Sequence, residues 1–314
     1  MLRCLILAIV LAAGLPGAAT AQKPGADCGK ASSAIERTVC GNAELVTADR
    51  AMAAAYAALV GKLRGAARDH LTADQARWLV NRERACVGEP ADVEECLIGR
   101  FRDRTSLLRL LGDGAYPFVS EQAIVKAGEA KGIPYSIDAS YPQFDATTPD
   151  FGAVNRQLAA ATREAAERVV PGSDADTGGG KYNGAAWRYE QAFTLYRPSD
   201  NAVSVALLYD SYEGGAYPVG GVRGMLVDLR TGRAVGPDGV FAPNLDWLKE
   251  LVRIAGGEIK AANLPDLLKQ PGRYVFLDDR LELTFNQYEG GPYTLEIPYQ
   301  RLKPLLRPDG PIPR

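Results

Sequence analysis

Residues 203–218 read Val203-Ser204-Val205-Ala206-Leu207-Leu208-Tyr209-Asp210-Ser211-Tyr212-Glu213-Gly214-Gly215-Ala216-Tyr217-Pro218. The first seven form the most strand-like run of the chain, and they lead into a turn with paired glycines. A near copy comes later: residues 281–285 are again strand-like, and Tyr288-Glu289-Gly290-Gly291-Pro292-Tyr293 follows. Gly214-Gly215 and Gly290-Gly291 supply positive φ or close backbone approach. Tyr212, Glu213, Tyr217 and Pro218 flank the first pair, and Tyr288, Glu289 and Tyr293 the second. Either loop alone reads as a tight turn with surface tyrosines. Their repetition points to a shared recognition face, which requires the two loops to be neighbours in space.

Working outward, Ile133, Tyr135, Ile137, Ala139 and Tyr141 alternate with mostly polar residues, as in a half-buried strand that Pro142 should stop. Pro149-Asp150 opens a helix with Phe151, Val154, Leu158, Ala161, Ala165 and Val169 on its apolar face. Residues 171–184 form a glycine-rich loop. Gly180-Lys181 lacks the Ser or Thr and the upstream glycine of a phosphate loop, and Asp174 and Asp176 lack the remaining ligands of a calcium loop. Strand-like runs follow at 187–196, 203–209 and 224–229. Asn244 is the expected cap of a helix bearing Leu248, Leu251, Val252, Ala255 and Ile259. Residues 274–277 and 281–285 pair around Asp278-Asp279. Residues 293–297 form a last strand, and 299–306 a short helix. Short turns between strands, with two main helices, predict an α+β domain with a mainly antiparallel sheet over 133–314.

The other end of the chain is built differently. Arg3, the apolar run at 5–15 and Ala19-Thr20-Ala21 read as a signal peptide over 1–21, cleaved after Ala21. The run is too short to span a membrane, and no later segment is long and apolar enough. Four cysteines then remain: Cys28, Cys40, Cys86 and Cys96. An even count in an exported chain reads as two disulfides, and the expected location is periplasmic or secreted. All four lie within 22–112, which the pattern assigns to a small all-α domain. Residues 113–132 read as a linker able to add an edge strand to the next domain.

Within 22–112, Ser32 or Ser33 caps a short helix with Glu36 near the capping-box position. Leu45, Met52, Tyr56, Leu59 and Leu63 share one stripe of a helix over 43–66. Thr72 is the expected cap of a helix over 73–87 carrying Gln75, Trp78, Leu79, Arg82 and Cys86, broken by Gly88 and Pro90. A last helix from Val93 aligns Leu97, Phe101, Leu108 and Leu111. The two longer helices are expected to pair antiparallel, bringing Cys40 near Cys86. Disulfides 28–40 with 86–96, or 40–86 with 28–96, both fit, the local pairs being preferred.

Two family resemblances emerge. Cys28, Glu36, Cys40, Leu45, Asp49, Tyr56, then Gln75-x-x-Trp78-Leu79-x-x-Arg82-x-x-x-Cys86 and Cys96-Leu97, resemble the lysozyme inhibitor LprI-like N-terminal domain over 28–111. The residues themselves read as structural: Trp78 stacks on Arg82 in the core, with Asp49 or Glu36 as ion partner. Tyr212-x-Gly214-Gly215-Ala216-Tyr217-Pro218, Val227-Asp228-Leu229-x-Thr231-Gly232 and Ile297-Pro298-Tyr299-x-x-Leu302-Lys303-Pro304-Leu305-Leu306 resemble the RsiV-like C-terminal domain over 133–307. That family includes the extracellular part of an anti-sigma factor that senses lysozyme. Tyr217 stands where the family often has histidine, so no histidine-dependent contact carries over.

The chemistry available narrows the rest. His70 is the single histidine, expected in a helix–helix turn, so Ser-His-Asp, Cys-His and multi-histidine metal sites are impossible. No cofactor or metal is called for. Residues 22–112 carry 14 Lys and Arg against 12 Asp and Glu, and residues 113–314 carry 21 against 26. An acidic second domain disfavours nucleic acid and favours a basic partner. With the resemblances, this predicts an exported envelope protein that binds, and inhibits, a lysozyme-like muramidase through the two loops. The alternatives are a peptidoglycan-binding module, and a weak glycosidase using Glu213 and Glu289 as its two carboxylates.

Overall fold

The structure is a computed structural model, and it describes residues 25–86, 93–113, 119–145, 149–172, 185–286, 289 and 294–312. The expected signal peptide over 1–21, Gly88 and Pro90, most of the 171–184 loop, and Tyr288, Gly290, Gly291 and Tyr293 lie outside the described residues.

The first third is helical: α1 (Ala34–Gly41), α2 (Ala43–Lys62), α3 (Ala66–Cys86) and α4 (Val93–Asp113). Ser33 and Glu36 complete the capping box of α1, with Glu36 N–H donating to Ser33 Oγ at 3.0 Å and Ser33 N–H donating to Glu36 at 2.9 Å. The Ser33 N–H, with the Ser32 N–H and hydroxyl, holds the Glu36 carboxyl below its ordinary range. The disulfides take the local pairing, Cys28–Cys40 and Cys86–Cys96. Each closes a short loop and adds stability of about 2–4 kcal/mol.

Three expectations for this region are corrected. Helix α3 starts at Ala66, because Gly65, at φ +56°, already makes the turn. Thr72 therefore lies inside the helix, its hydroxyl donating to Arg68 O at 2.9 Å, and His70 is helical and exposed rather than in a turn. Helix α2 lies along α4 instead of α3, with Met52, Leu97, Phe101 and Leu108 in one core.

A six-stranded sheet follows in the order β1-β2-β3-β4-β5-β6. Its strands are β1 (Val119–Ala130), β2 (Ile133–Phe144), β3 (Trp187–Ser199), β4 (Ala202–Tyr212), β5 (Val219–Asp228) and β6 (Arg233–Val235). All neighbours are antiparallel except β2 and β3, which are parallel and joined through α5 (Gly152–Arg168). Much of the expected connector is thus the edge strand β1, paired along its length with β2. Lys131 and Gly132, both at positive φ, turn the chain between them. Pro142 does not stop β2: strand β3 pairs only with residues 135–139, so no ladder bond is needed from its missing N–H.

The chain continues through α6 (Pro237–Val240), α7 (Trp247–Ala255) and α8 (Leu264–Leu267). Asp246 caps α7 by accepting from Lys249 N–H at 3.1 Å, displacing the expected Asn244. Strands β7 (Tyr274–Phe276), β8 (Arg280–Thr284) and β9 (Thr294–Pro298) form a second antiparallel sheet, closed by α9 (Tyr299–Leu302). This sheet packs on the first at β5. A Cβ on Gly224 would lie 1.9 Å from Tyr274 O, so only glycine lets the two backbones meet.

The helical region and the large sheet share one core, running from Ile35 through Trp78 and Phe101 to Val119, Leu195 and Val227. A buried charge cluster fastens the junction. Arg104 donates to Asp74 at 2.6 Å and to Gln75 at 3.0 Å, and Asp74 also accepts the Glu121 N–H of β1 at 2.8 Å.

Candidate functional site

Strand alternation assembles the site. Trp187 and Tyr189 lie on one face of β3; on β4, Ser211 lies opposite Tyr189, and Tyr209, opposite Gln191, is on the same face. Arg223 of β5 extends the same face. The C-terminal turn of α5 brings Ala165, Arg168 and Val169 against it. The first glycine loop closes the end, so that Glu213, Gly215 and Tyr217 complete a concave basin of about 500 Å³.

The floor is held from below. Tyr189 donates to Gln191 at 2.8 Å, and Gln191 donates to Ser140 O at 2.9 Å and to Thr162 of α5 at 3.0 Å. Burial raises the Tyr189 hydroxyl above its usual range, so it remains a donor. The Tyr209 ring stacks on Tyr189 with centroids 6.5 Å apart, and the Arg223 guanidinium lies 4.8 Å from the Tyr209 centroid. Gly214 sits at φ +79° directly over Trp187. A Cβ there would stand 3.1 Å from the indole Nε1, so the positive φ favours glycine and any other residue would also press on Trp187. The loop tip is open: Tyr217 is 75% exposed, and Ser211 donates to Glu213 at 3.2 Å. Tyr212 is half-buried, and Pro218 is exposed before β5 begins.

Glu289 of the second loop behaves differently. It takes two hydrogen bonds from Arg273, at 2.6 and 2.7 Å, and one from Asn286 N–H at 2.8 Å. Burial alone would raise its carboxyl, but these bonds outweigh it and hold Glu289 below the ordinary glutamate range. A general acid of a glycosidase needs the opposite shift, so Glu289 is unsuited to that role. Most of the second loop lies outside the described residues. The Tyr209 hydroxyl lies 3.5 Å from Asn286, which leads into the second loop.

In the helical region, the Arg82 guanidinium is buried between Trp78, at 5.6 Å, and Phe101, at 5.2 Å from the ring centroids. Asp49 accepts Ala26 N–H at 2.6 Å and Glu36 caps α1, and the charge of each carboxylate still acts on the Arg82 guanidinium. Glu83, at 3.7 Å, is the carboxylate nearest Arg82 among the described residues. Gln75 donates to Met52 Sδ at 3.2 Å, and Tyr56 packs at the edge of the core. These residues build the domain. Among the described residues no group of three or more His, Cys, Asp or Glu side chains is arranged to hold a metal. No helix there is long and apolar enough to cross a membrane.

Residues 27–108 match the family model described as lysozyme inhibitor LprI. The match takes in both disulfides, α1 to α3 and most of α4. No curated protein matches the chain. Among solved structures, a DUF3298 family protein from Pseudomonas aeruginosa PAO1 is similar at 19% identity and a TM-score of 0.42, over 62% of this chain and 96% of that one. A DUF3298 family member from Bacteroides fragilis NCTC 9343 is similar at 14% identity and a TM-score of 0.39, over 62% and 94%.

The sequence alone did not single out Trp187, Tyr189, Tyr209, Arg168 or Arg223 as site residues. The signal was present for four of them: aromatic residues alternate at 187 and 189, and Tyr209 and Arg223 sit on the strands that lead to and from the glycine loop. Arg168 comes from a separate helix, and its approach depends on how α5 crosses the sheet.

Proposed function

We propose that this protein is an exported envelope protein that binds a lysozyme-like muramidase and inhibits it. The match of residues 27–108 to the LprI lysozyme-inhibitor model carries the reading. Two disulfides support an extracytoplasmic setting. The resemblance of 133–307 to the RsiV-like family points to the same kind of partner. The acidic balance of residues 113–314, 21 Lys and Arg against 26 Asp and Glu, suits a basic one.

The first glycine loop is the contact we assign. Tyr217 offers an exposed aromatic anchor, and Glu213 an exposed carboxylate, on a hairpin fixed by Gly214 over Trp187. Tyr212, Gly215 and Pro218 shape that loop. Tyr288, Gly290, Gly291 and Tyr293, expected to share the contact, lie outside the described residues, while Glu289 of the same loop is held by Arg273. Mixing the protein with a basic lysozyme should give a complex on size-exclusion chromatography and slow the lysis of cell walls. Tyr217→Ala should weaken the complex by about tenfold or more, as loss of an aromatic anchor does. Absence of a complex and unchanged lysis would refute the reading.

A further inference from the structure

The aromatic basin has a local charge opposite to that of the region holding it. Residues 113–314 carry 21 Lys and Arg against 26 Asp and Glu, yet the basin is lined by Arg168 and Arg223 against the one carboxylate of Glu213. Arg168 pairs with Glu164 at 3.2 Å. Arg223 makes no ion pair among the described residues. Its guanidinium is half-buried and stacked 4.8 Å from the Tyr209 ring centroid. An arginine fixed on an aromatic face keeps its N–H edge directed at a planar acceptor, the geometry that carboxylates satisfy.

The remaining lining is amphipathic. Tyr217 and Val219 are 75% and 43% exposed at the rim, Trp187 and Tyr189 close the floor, and Ser211 adds a hydroxyl. The volume of about 500 Å³ falls within the roughly 300–1,000 Å³ of small-molecule sites. A carboxylate side chain of a protein partner would satisfy Arg223 but would not need a concave aromatic floor. A sugar ring needs both, since its apolar C–H face lies on aromatic rings and its hydroxyls seek planar polar groups.

We propose that this basin binds a saccharide bearing a carboxylate, with the carboxylate on Arg223 and the ring against the exposed Tyr217. The proposal does not depend on muramidase binding.

The test uses the full mature chain, labelled with ¹⁵N and titrated separately with N-acetylmuramic acid, glucuronic acid and uncharged N-acetylglucosamine. At least one acid should shift the amide signals of residues lining the basin, and the neutral sugar should bind about tenfold more weakly. Which acid binds tells whether the carboxylate must stand on an ether arm or on the ring. Arg223→Ala should bring the acid down to the affinity of the neutral sugar, and Arg223→Lys should restore part of the difference. Tyr217→Ala, at an exposed tip where folding is not at stake, should weaken all the saccharides that bind. Failure of both acids to shift these signals in the millimolar range, or an Arg223→Ala variant with unchanged acid affinity, would overturn the proposal. Acid binding without any muramidase complex would refute the muramidase reading and leave this one standing.

Discussion

At the level of single residues, the structure separates two glutamates that the sequence makes look equivalent. Glu213 is exposed at a loop tip, while Glu289 is clamped by Arg273 and by Asn286 N–H. Glu289→Gln should destabilise the protein by about 1–2 kcal/mol at neutral pH, through loss of charge-assisted hydrogen bonds. The pH dependence has a definite sign. A carboxyl whose folded pKa is depressed contributes stability above its unfolded value, ordinarily about 4.3, and loses it as pH falls through the lower folded value. The gap between wild type and Glu289→Gln, followed by urea unfolding, should therefore be full near neutrality and close in that acidic window. A gap that persisted unchanged there would contradict the role of the charge. Asp74 is a second carboxylate bound by an arginine. It is 1% exposed beside an Arg104 side chain that is 0% exposed, so Asp74→Ala leaves a buried guanidinium with only the more distant Glu121 carboxylate, at 3.8 Å. The expected loss is about 3–5 kcal/mol in denaturant unfolding.

At the level of elements, the hairpin from β4 to β5 explains why glycine recurs. Gly214 supplies a left-handed turn over Trp187, and Gly224 lets the second sheet approach. Gly214→Ala should cost about 1–2 kcal/mol, because an L residue is strained at this φ. It should also weaken muramidase binding by displacing Tyr217, as seen in the dissociation rate. Gly224→Ala should cost about 3 kcal/mol, since the added carbon forces β5 from β7. Thermal unfolding ranks the two: a Gly224→Ala protein as stable as wild type would show that the sheets do not meet there. The glycine pair and the strand before it were legible in sequence because they are local features. The partner of each glycine was not, since Trp187 and Tyr274 lie far away along the chain.

At the level of the whole molecule, the helical region and the sheet meet through one core and through the Arg104–Asp74 cluster. Unfolding followed by far-ultraviolet circular dichroism and by tryptophan fluorescence should therefore coincide, because Trp78 lies in the helical part and Trp187 in the sheet. Asp74→Ala should lower both signals together. Two separated transitions would show that the parts unfold independently.

The sequence by itself determined a disulfide-stapled helical region followed by an α+β region with a mainly antiparallel sheet. Both rest on local periodicity and on the placing of Cys28, Cys40, Cys86 and Cys96. It also marked the first glycine loop and the core roles of Trp78 and Arg82. It misjudged the start of α3 because Gly65, not Thr72, makes the turn, and it misread Pro142 because strand pairing around a proline depends on its neighbours. Only the tertiary structure decided which cysteines pair. It also showed that Glu289 is spent on Arg273, and that Arg223 joins Tyr209 beneath the first loop. Those outcomes turn on distances between residues remote in sequence, set by strand register and helix crossing, which no local pattern encodes.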